Sequence, residues 1–288
     1  MDKVRTVLFG VTGFGNSAAE ALNKHGKIDL VAVLTSKRQE RPFPYYPCEH
    51  LYEMALGKRI PVYEGLSVKE TPTFDFIHSL SPDLIVVSTF SQIIIKTIIQ
   101  IPKYGVINIH PSLLPRYRGT TPTAWTLING EEETGISVHF IEDEMIDSGR
   151  IILQSRLKIM PEDTDGTLRH RLAELSKTTL SRAIDLVLIT DRSSFPPQDE
   201  SVATYFRKRT IEDAEINKDM PFKKILNLIR AMTPFPGAYL IHNNSKYIVK
   251  SAELISGNDK LNNLMNGFIE LETNGGRVKF ETGEVIYR

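Results

Sequence analysis

Two polar side chains, Asn108 and His110, stand one residue apart in the run Val106-Ile107-Asn108-Ile109-His110. An extended chain alternates sides, so both project to one face near the end of a short apolar strand. An amide N–H beside an imidazole can hold a carbonyl oxygen as it gains negative charge. The imidazole, with an ordinary pKa of about 6.5, can also move a proton near neutrality. The same pair can serve structure alone, and the spacing does not choose between the two readings.

A second feature lies near the N-terminus, where Gly10, Gly13 and Gly15 follow an apolar strand in the order G-V-T-G-F-G. This is not the G-x-G-x-x-G spacing of a dinucleotide site. Asp29, about 20 positions on, precedes the second strand rather than ending it, which argues against a nucleotide redox enzyme. Gly10 and Gly13 then read either as a tight strand-to-helix turn or as a backbone wall for a substrate phosphate or cofactor edge. Between Ser36 and Pro47 the charged residues and prolines exclude an ordinary helix. Phe43, Tyr45 and Tyr46 in that loop either line a substrate-side lid or pack the loop down by their own rings.

No metal site is expected. The 7 histidines are scattered, without an H-x-x-x-H pair, and there is no Cys-x-x-Cys. Cys48 is the single cysteine, so no internal disulfide can form. The 35 basic side chains balance 35 acidic ones. That balance supplies no general attraction for a nucleic-acid backbone, although a local basic patch stays open. No stretch reaches 18 apolar residues, and the start of the chain reads as a first strand rather than a leader. A cytoplasmic protein with no membrane partner is the expectation.

The elements that must position these residues alternate in the first half of the chain. Strands are predicted over Thr6–Gly10, Asp29–Leu34, Asp83–Thr89, Val106–Ile109, Thr134–Phe140 and Arg150–Met160. Helices are predicted over Asn16–Lys24, Thr164–Val187 and Pro221–Met232. The Asp83–Thr89 run does not alternate, as expected of a buried parallel strand. This rhythm predicts an α/β domain with a Rossmann-like, mostly parallel sheet over residues 1–190. A Pro-containing linker over 191–205 would lead to a small antiparallel, barrel-like domain of the OB type over 206–288, because Asn-Asn, Gly-Asn and Asn-Gly-Gly turns break that stretch into strands. Open α/β sheets bind ligands at the carboxyl ends of their strands, where Asn108 and His110 lie.

The run N-I-H-P-S-L-L-P-R-Y-R-G, then P-T-A-W and G-E-E-E-T-G-I-S-V-H-F, resembles the signature of the 10-formyltetrahydrofolate-dependent formyltransferases. That family includes enzymes acting on methionyl-tRNA, glycinamide ribonucleotide and amino sugars. Similarity continues through I-D-S-G-R-I-I, P-Q-D-E-S, K-R-T-I-E-D and I-R-A-M-T-P-F-P-G-A, over roughly residues 80 to 240.

The resemblance implies that Asn108 and His110 polarise a formyl oxygen. It implies that Asp147 faces His110 and helps to deprotonate an incoming amine. It also implies that Ser112, Leu113, Leu114, Pro115, Arg118 and Gly119 shape the cofactor side of the cleft. One departure is the segment Met145-Ile146-Asp147, where the family usually carries Gly-Leu-Asp; without that glycine the loop has fewer allowed φ angles. His139 reads as structural or as support behind the site.

The cofactor implied is 10-formyltetrahydrofolate as co-substrate. Balanced charge and the aromatic loop favour a nucleotide-linked amino sugar as the amine, with Phe43, Tyr45 or Tyr46 stacking on the base. Initiator methionyl-tRNA is the alternative, and hydrolysis of the formyl-folate by water would use much the same side chains. A homodimer is left open.

Overall fold

The computed structural model describes residues 2–37, 46–256, 267–274 and 276–287. Phe43 and Tyr45 lie outside these. In chain order the first elements are β1 (Val4–Gly10), α1 (Phe14–Lys24), β2 (Ile28–Thr35), α2 (Leu51–Gly57), β3 (Val62–Glu64), α3 (Thr71–Ser79), β4 (Leu84–Ser88), α4 (Lys96–Ile99) and β5 (Val106–His110). They are followed by β6 (Arg118–Gly119), α5 (Pro122–Ile128), β7 (Glu133–Ile141), β8 (Ile151–Lys158) and the long α6 (Asp165–Ile189). Beyond it come β9 (Tyr205–Phe206), α7 (Phe222–Ala231), β10 (Ala238–His242), β11 (Ser245–Leu254), β12 (Phe268–Thr273) and β13 (Gly276–Tyr287).

Seven strands form one sheet in the order β3-β2-β1-β4-β5-β7-β8. The first five are mutually parallel, and β7 and β8 add antiparallel to the β5 edge. The order reverses between β1 and β4, the place at which open α/β sheets put their ligand crevice. Every residue of β4 is buried, as the non-alternating run predicts for a strand covered on both faces. Val7, Phe9, Ala32, Leu34, Ile77, Ile85, Val87 and Ile98 pack into one core of this sheet.

Short α2, α3, α4 and α5 and the three-residue β3 escape the periodicity argument. Each offers at most about two turns, too few for a helical apolar stripe to stand out.

The chain divides into two compact units that are discontinuous in sequence. One comprises Met1–Gly119, Glu133–Lys158 and Arg169–Tyr205; the other comprises Thr120–Glu132, Ile159–Leu168 and Phe206–Arg288. In the second, an antiparallel sheet in the order β10-β11-β13-β12 carries a core of Tyr239, Tyr247, Val249, Ile269, Val278 and Phe280. The amphipathic α7 covers it with Ile225, Leu228 and Ile229. The predicted helix over Pro221–Met232 and the antiparallel strands are both present. So is the mostly parallel sheet of the first unit.

Candidate active site

The site begins with strand pairing. β7 runs antiparallel to β5 in a register that sets Asn108 opposite His139 and His110 opposite Ser137. Directly opposed residues share a face, so Asn108, His110 and His139 project together. The Asn108 amide nitrogen lies 3.1 Å from His139 Nε2 and donates to Asp147 Oδ1 at 3.2 Å. The other Asp147 oxygen accepts from the Gly119 backbone N–H at 2.8 Å. His110 Nδ1 stands 3.4 Å from Asp147 Oδ2, and His139 Nε2 stands 3.4 Å from Oδ1. Thus three side chains from two strands converge on one carboxylate.

The protons can be assigned from the other ends of the rings. His110 Nε2 is 2.8 Å from the Tyr117 carbonyl, and His139 Nδ1 is 2.8 Å from the Phe140 carbonyl. A carbonyl oxygen only accepts, so each of these nitrogens carries a hydrogen. In the neutral rings, His110 Nδ1 and His139 Nε2 then present lone pairs toward Asp147. Both stand beyond the usual 2.9–3.0 Å hydrogen-bond mode, as acceptors facing acceptors should.

Burial holds the His110 imidazole below its ordinary value, against the opposing pull of Asp147's charge and its bond to the Tyr117 carbonyl. Burial of Asp147 works against its charged form. The charge that His110 carries once it is protonated, the His139 contact and the Gly119 N–H outweigh it and keep the carboxyl well below the usual carboxylate range.

The loop that delivers Asp147 is strained and tightly held. Asp147 has φ +55°, a left-handed conformation that disfavours L-residues by about 1–2 kcal/mol. Two residues on, a Cβ at Gly149 would lie 2.0 Å from the Phe140 carbonyl oxygen; only glycine lets the loop approach β7 so closely. The family's other glycine, replaced here by Met145, is not needed for this geometry: Met145 and Ile146 sit exposed on the loop.

The remaining predicted residues distribute as follows. Ser112 and Leu114 are buried. Ser112 Oγ donates to the Arg116 carbonyl, while the Leu114 N–H donates to Ser137 Oγ, so both shape the loop from within. Leu113 and Pro115 are half-buried beside them. Arg118 is fully buried, and its guanidinium is occupied by Gln198, Glu200 and the Tyr205 hydroxyl. Gly119 reaches the site through its backbone N–H.

Gly10 is buried at the end of β1 against Gly15. Gly13, at φ +105°, caps α1, and the Tyr46 hydroxyl lies 3.2 Å from where its Cβ would be. Tyr46 stacks on His170, with ring centroids 5.0 Å apart. Its hydroxyl is buried without a hydrogen-bond partner among the described residues, and burial pushes the phenol upward in pKa.

By sequence His139 reads as structural or as support behind the site, and 191–205 reads as a linker. A signal for His139 existed: once β7 is taken as antiparallel to β5, a register argument brings it opposite Asn108. Gln198 lies in the P-Q-D-E-S motif of the resemblance, but its role has no local signal, because the loop carbonyls it holds lie 49 and 51 residues away along the chain.

Among the described residues no group of three or more His, Cys, Asp or Glu gathers to hold a metal ion. Nor is any described helix long and apolar enough to cross a membrane.

Comparison with known proteins places the chain, with its Asn-x-His strand end facing a looped aspartate, in a class of group-transfer enzymes. Residues 5–184 match the formyl transferase family and residues 208–287 match the formyl transferase C-terminal domain. The chain belongs to the formyl transferase family.

Among its relatives, the methionyl-tRNA formyltransferase of Syntrophus aciditrophicus (strain SB) is 35% identical over 243 residues, 84% of this chain and 77% of that protein. The methionyl-tRNA formyltransferase of Fusobacterium nucleatum subsp. nucleatum is 32% identical over 287 residues, 98% of this chain and 90% of that one. Among solved structures, an N-formyltransferase from Helicobacter canadensis in complex with folinic acid and dTDP-3-aminofucose shares the fold. Its TM-score is 0.70 at 21% identity, covering 98% of this chain and 100% of that chain.

Proposed function

We propose that the protein transfers the formyl group of 10-formyltetrahydrofolate to a primary amine, with Asn108, His110 and Asp147 as the catalytic residues. The observation that carries this reading is the convergence of an amide donor and two imidazoles on one buried carboxylate, in a chain of the formyl transferase family.

The amine nitrogen attacks the formyl carbon, and charge develops on the formyl oxygen and on the nitrogen. The Asn108 amide has two N–H groups, now directed at His139 Nε2 and Asp147 Oδ1; the formyl oxygen competes for one of them as it becomes anionic. Asp147, kept ionised, accepts the proton from the attacking nitrogen. The Nδ1 lone pair of neutral His110 stands behind it as the next proton acceptor, and imidazolium beside carboxylate is then a favourable pair. The formyl carbonyl re-forms as the C–N10 bond breaks, and the proton held by His110 returns through Asp147 to the departing tetrahydrofolate nitrogen.

With both His110 nitrogens engaged, its part in this scheme is to receive the proton through Asp147. Direct contact with the formyl oxygen would require it to give up the Tyr117 carbonyl.

For the acceptor we infer a nucleotide-linked amino sugar. The formal charge of zero offers no long-range pull on a polyanion. The Helicobacter canadensis enzyme solved with dTDP-3-aminofucose matches this chain along nearly its whole length. Methionyl-tRNA is the second reading, favoured by the 35% and 32% identity to methionyl-tRNA formyltransferases.

The test is a panel assay with 10-formyltetrahydrofolate and either dTDP- or UDP-linked amino sugars or charged initiator tRNA, read as a mass gain of one formyl group. Gain on a sugar nucleotide supports the first reading, gain on tRNA the second. Formate release without any acceptor would mark a hydrolase instead. Asn108→Ala, His110→Ala and Asp147→Ala should each lower turnover by roughly 10²-fold or more with the fold retained. Near-normal rates in all three would refute the site.

A further inference from the structure

The stretch that sequence reasoning took for a linker sends one side chain under the catalytic loop. Gln198 is 8% exposed. Its amide nitrogen donates to the carbonyls of Asp147 at 2.8 Å and Gly149 at 2.7 Å. Its amide oxygen accepts from Arg118 Nε at 3.0 Å and Nη2 at 2.8 Å. An amide can be turned end for end, but here only one orientation is allowed: the guanidinium has donors alone, so the oxygen must face it and the NH2 must face the loop.

Arg118 is fixed in turn. Its terminal nitrogens reach the two Glu200 oxygens at 2.9 and 2.7 Å, and Nη1 also donates to the Tyr205 hydroxyl at 2.8 Å. Arg118 opens the strand whose next residue, Gly119, donates its N–H to the Asp147 carboxylate. The left-handed turn at Asp147 is therefore gripped twice, at its carbonyl by Gln198 and at its carboxylate by Gly119, and both grips trace back to one buried arginine.

We propose that Gln198, oriented by Arg118, is a positioning residue that locks the Asp147 loop in its left-handed conformation and so aims the carboxylate between His110 and His139. The inference rests on Asp147 as the proton acceptor of the proposed transfer. A loop whose backbone is held by only one of these grips can rotate the carboxylate by the fraction of an ångström to which general-base geometry is sensitive.

Gln198→Glu is the sharpest variant. It keeps the shape and adds an ion pair to Arg118, but turns a carboxylate oxygen against two carbonyl oxygens. Gln198→Leu removes both donors without adding charge. Arg118→Lys, which keeps the charge and loses the fork, frees the amide to turn and serves should the Gln198 variants fail to fold.

Two readouts apply to the full-length protein. The first is kcat and KM for formyl transfer from 10-formyltetrahydrofolate to whichever acceptor the panel identifies. The second is NMR titration of the His110 ring, which faces Asp147, His139 and the Tyr117 carbonyl and thus senses whether the carboxylate is still beside it.

We expect kcat to fall roughly 10- to 100-fold, with KM for the folate within about twofold. We also expect the His110 midpoint to move to lower pH as its anionic neighbour swings away. Folded variants with wild-type kcat and a wild-type His110 midpoint overturn the proposal, even when their thermal stability has dropped, because that pattern marks a merely structural bond. A wild-type protein that transfers no formyl group sinks the proposed reaction alone. The His110 midpoint then decides the positioning role by itself, an unmoved midpoint overturning it.

Discussion

Gly149→Ala tests the geometry of the Asp147 loop most directly. The added methyl would sit 2.0 Å from the Phe140 carbonyl oxygen and 2.9 Å from its carbon. An ordinary carbon–oxygen contact is about 3.3 Å or more, so the loop and β7 must part by more than about 1 Å. Neither side of that contact is free to yield without consequence. The Phe140 carbonyl accepts from His139 Nδ1, and the Gly149 carbonyl accepts from Gln198. Asp147 lies two residues before the displaced position and would be carried with it.

A shift of about 1 Å in a catalytic group corresponds to a loss of roughly 10²-fold in rate. The overpacking itself should lower stability by about 1–3 kcal/mol. Steady-state formyl transfer should therefore show kcat reduced by roughly two orders of magnitude, in a protein whose circular dichroism is native and whose melting temperature is lower. A variant with kcat within about threefold of wild type would refute the claim that loop position controls the carboxylate, since the clash leaves the loop no way to stay in place.

Two further outcomes follow from the buried titrating groups and the aromatic loop. His110 and Asp147 both have folded-state values below their unfolded ones, so in each window the unfolded chain binds more protons and stability rises with pH. Urea unfolding should show stability declining as pH falls below the ordinary histidine value of about 6.5, and again below the ordinary aspartate value of about 3.9. His110→Gln should flatten the first decline, and an unchanged slope would contradict the buried neutral imidazole. Tyr46→Phe removes a buried hydroxyl that has no partner among the described residues; its melting temperature should stay level or rise. A clear loss of stability would show that the hydroxyl is bonded.

Local pattern accounts for much of this protein. The apolar run at β4 declares a buried parallel strand because a strand covered on both faces must be apolar on both, and those at β1, β2 and β5 declare strands. The Asn-x-His spacing alone places two functional groups on one side of β5, since the strand period is two. The long motif after it identifies the family and, through it, Asp147. What local pattern does not contain is which strand lies beside which. That His139 faces Asn108 depends on β7 joining β5 antiparallel in one register; a slip of one residue would turn its ring to the opposite face.

Tertiary structure alone made the other decisions. Arg118, which the resemblance sets among the residues shaping the cofactor side of the cleft, is buried and paired with Glu200. Gln198, in a stretch with no helical or strand period, becomes the support of a loop 51 residues earlier. Periodicity reports on which face of an element is buried, and composition on what the chain can bury. Neither reports on hydrogen bonds between side chains and backbone far apart in sequence, because those exist only once the folded chain has brought their two ends within 3 Å.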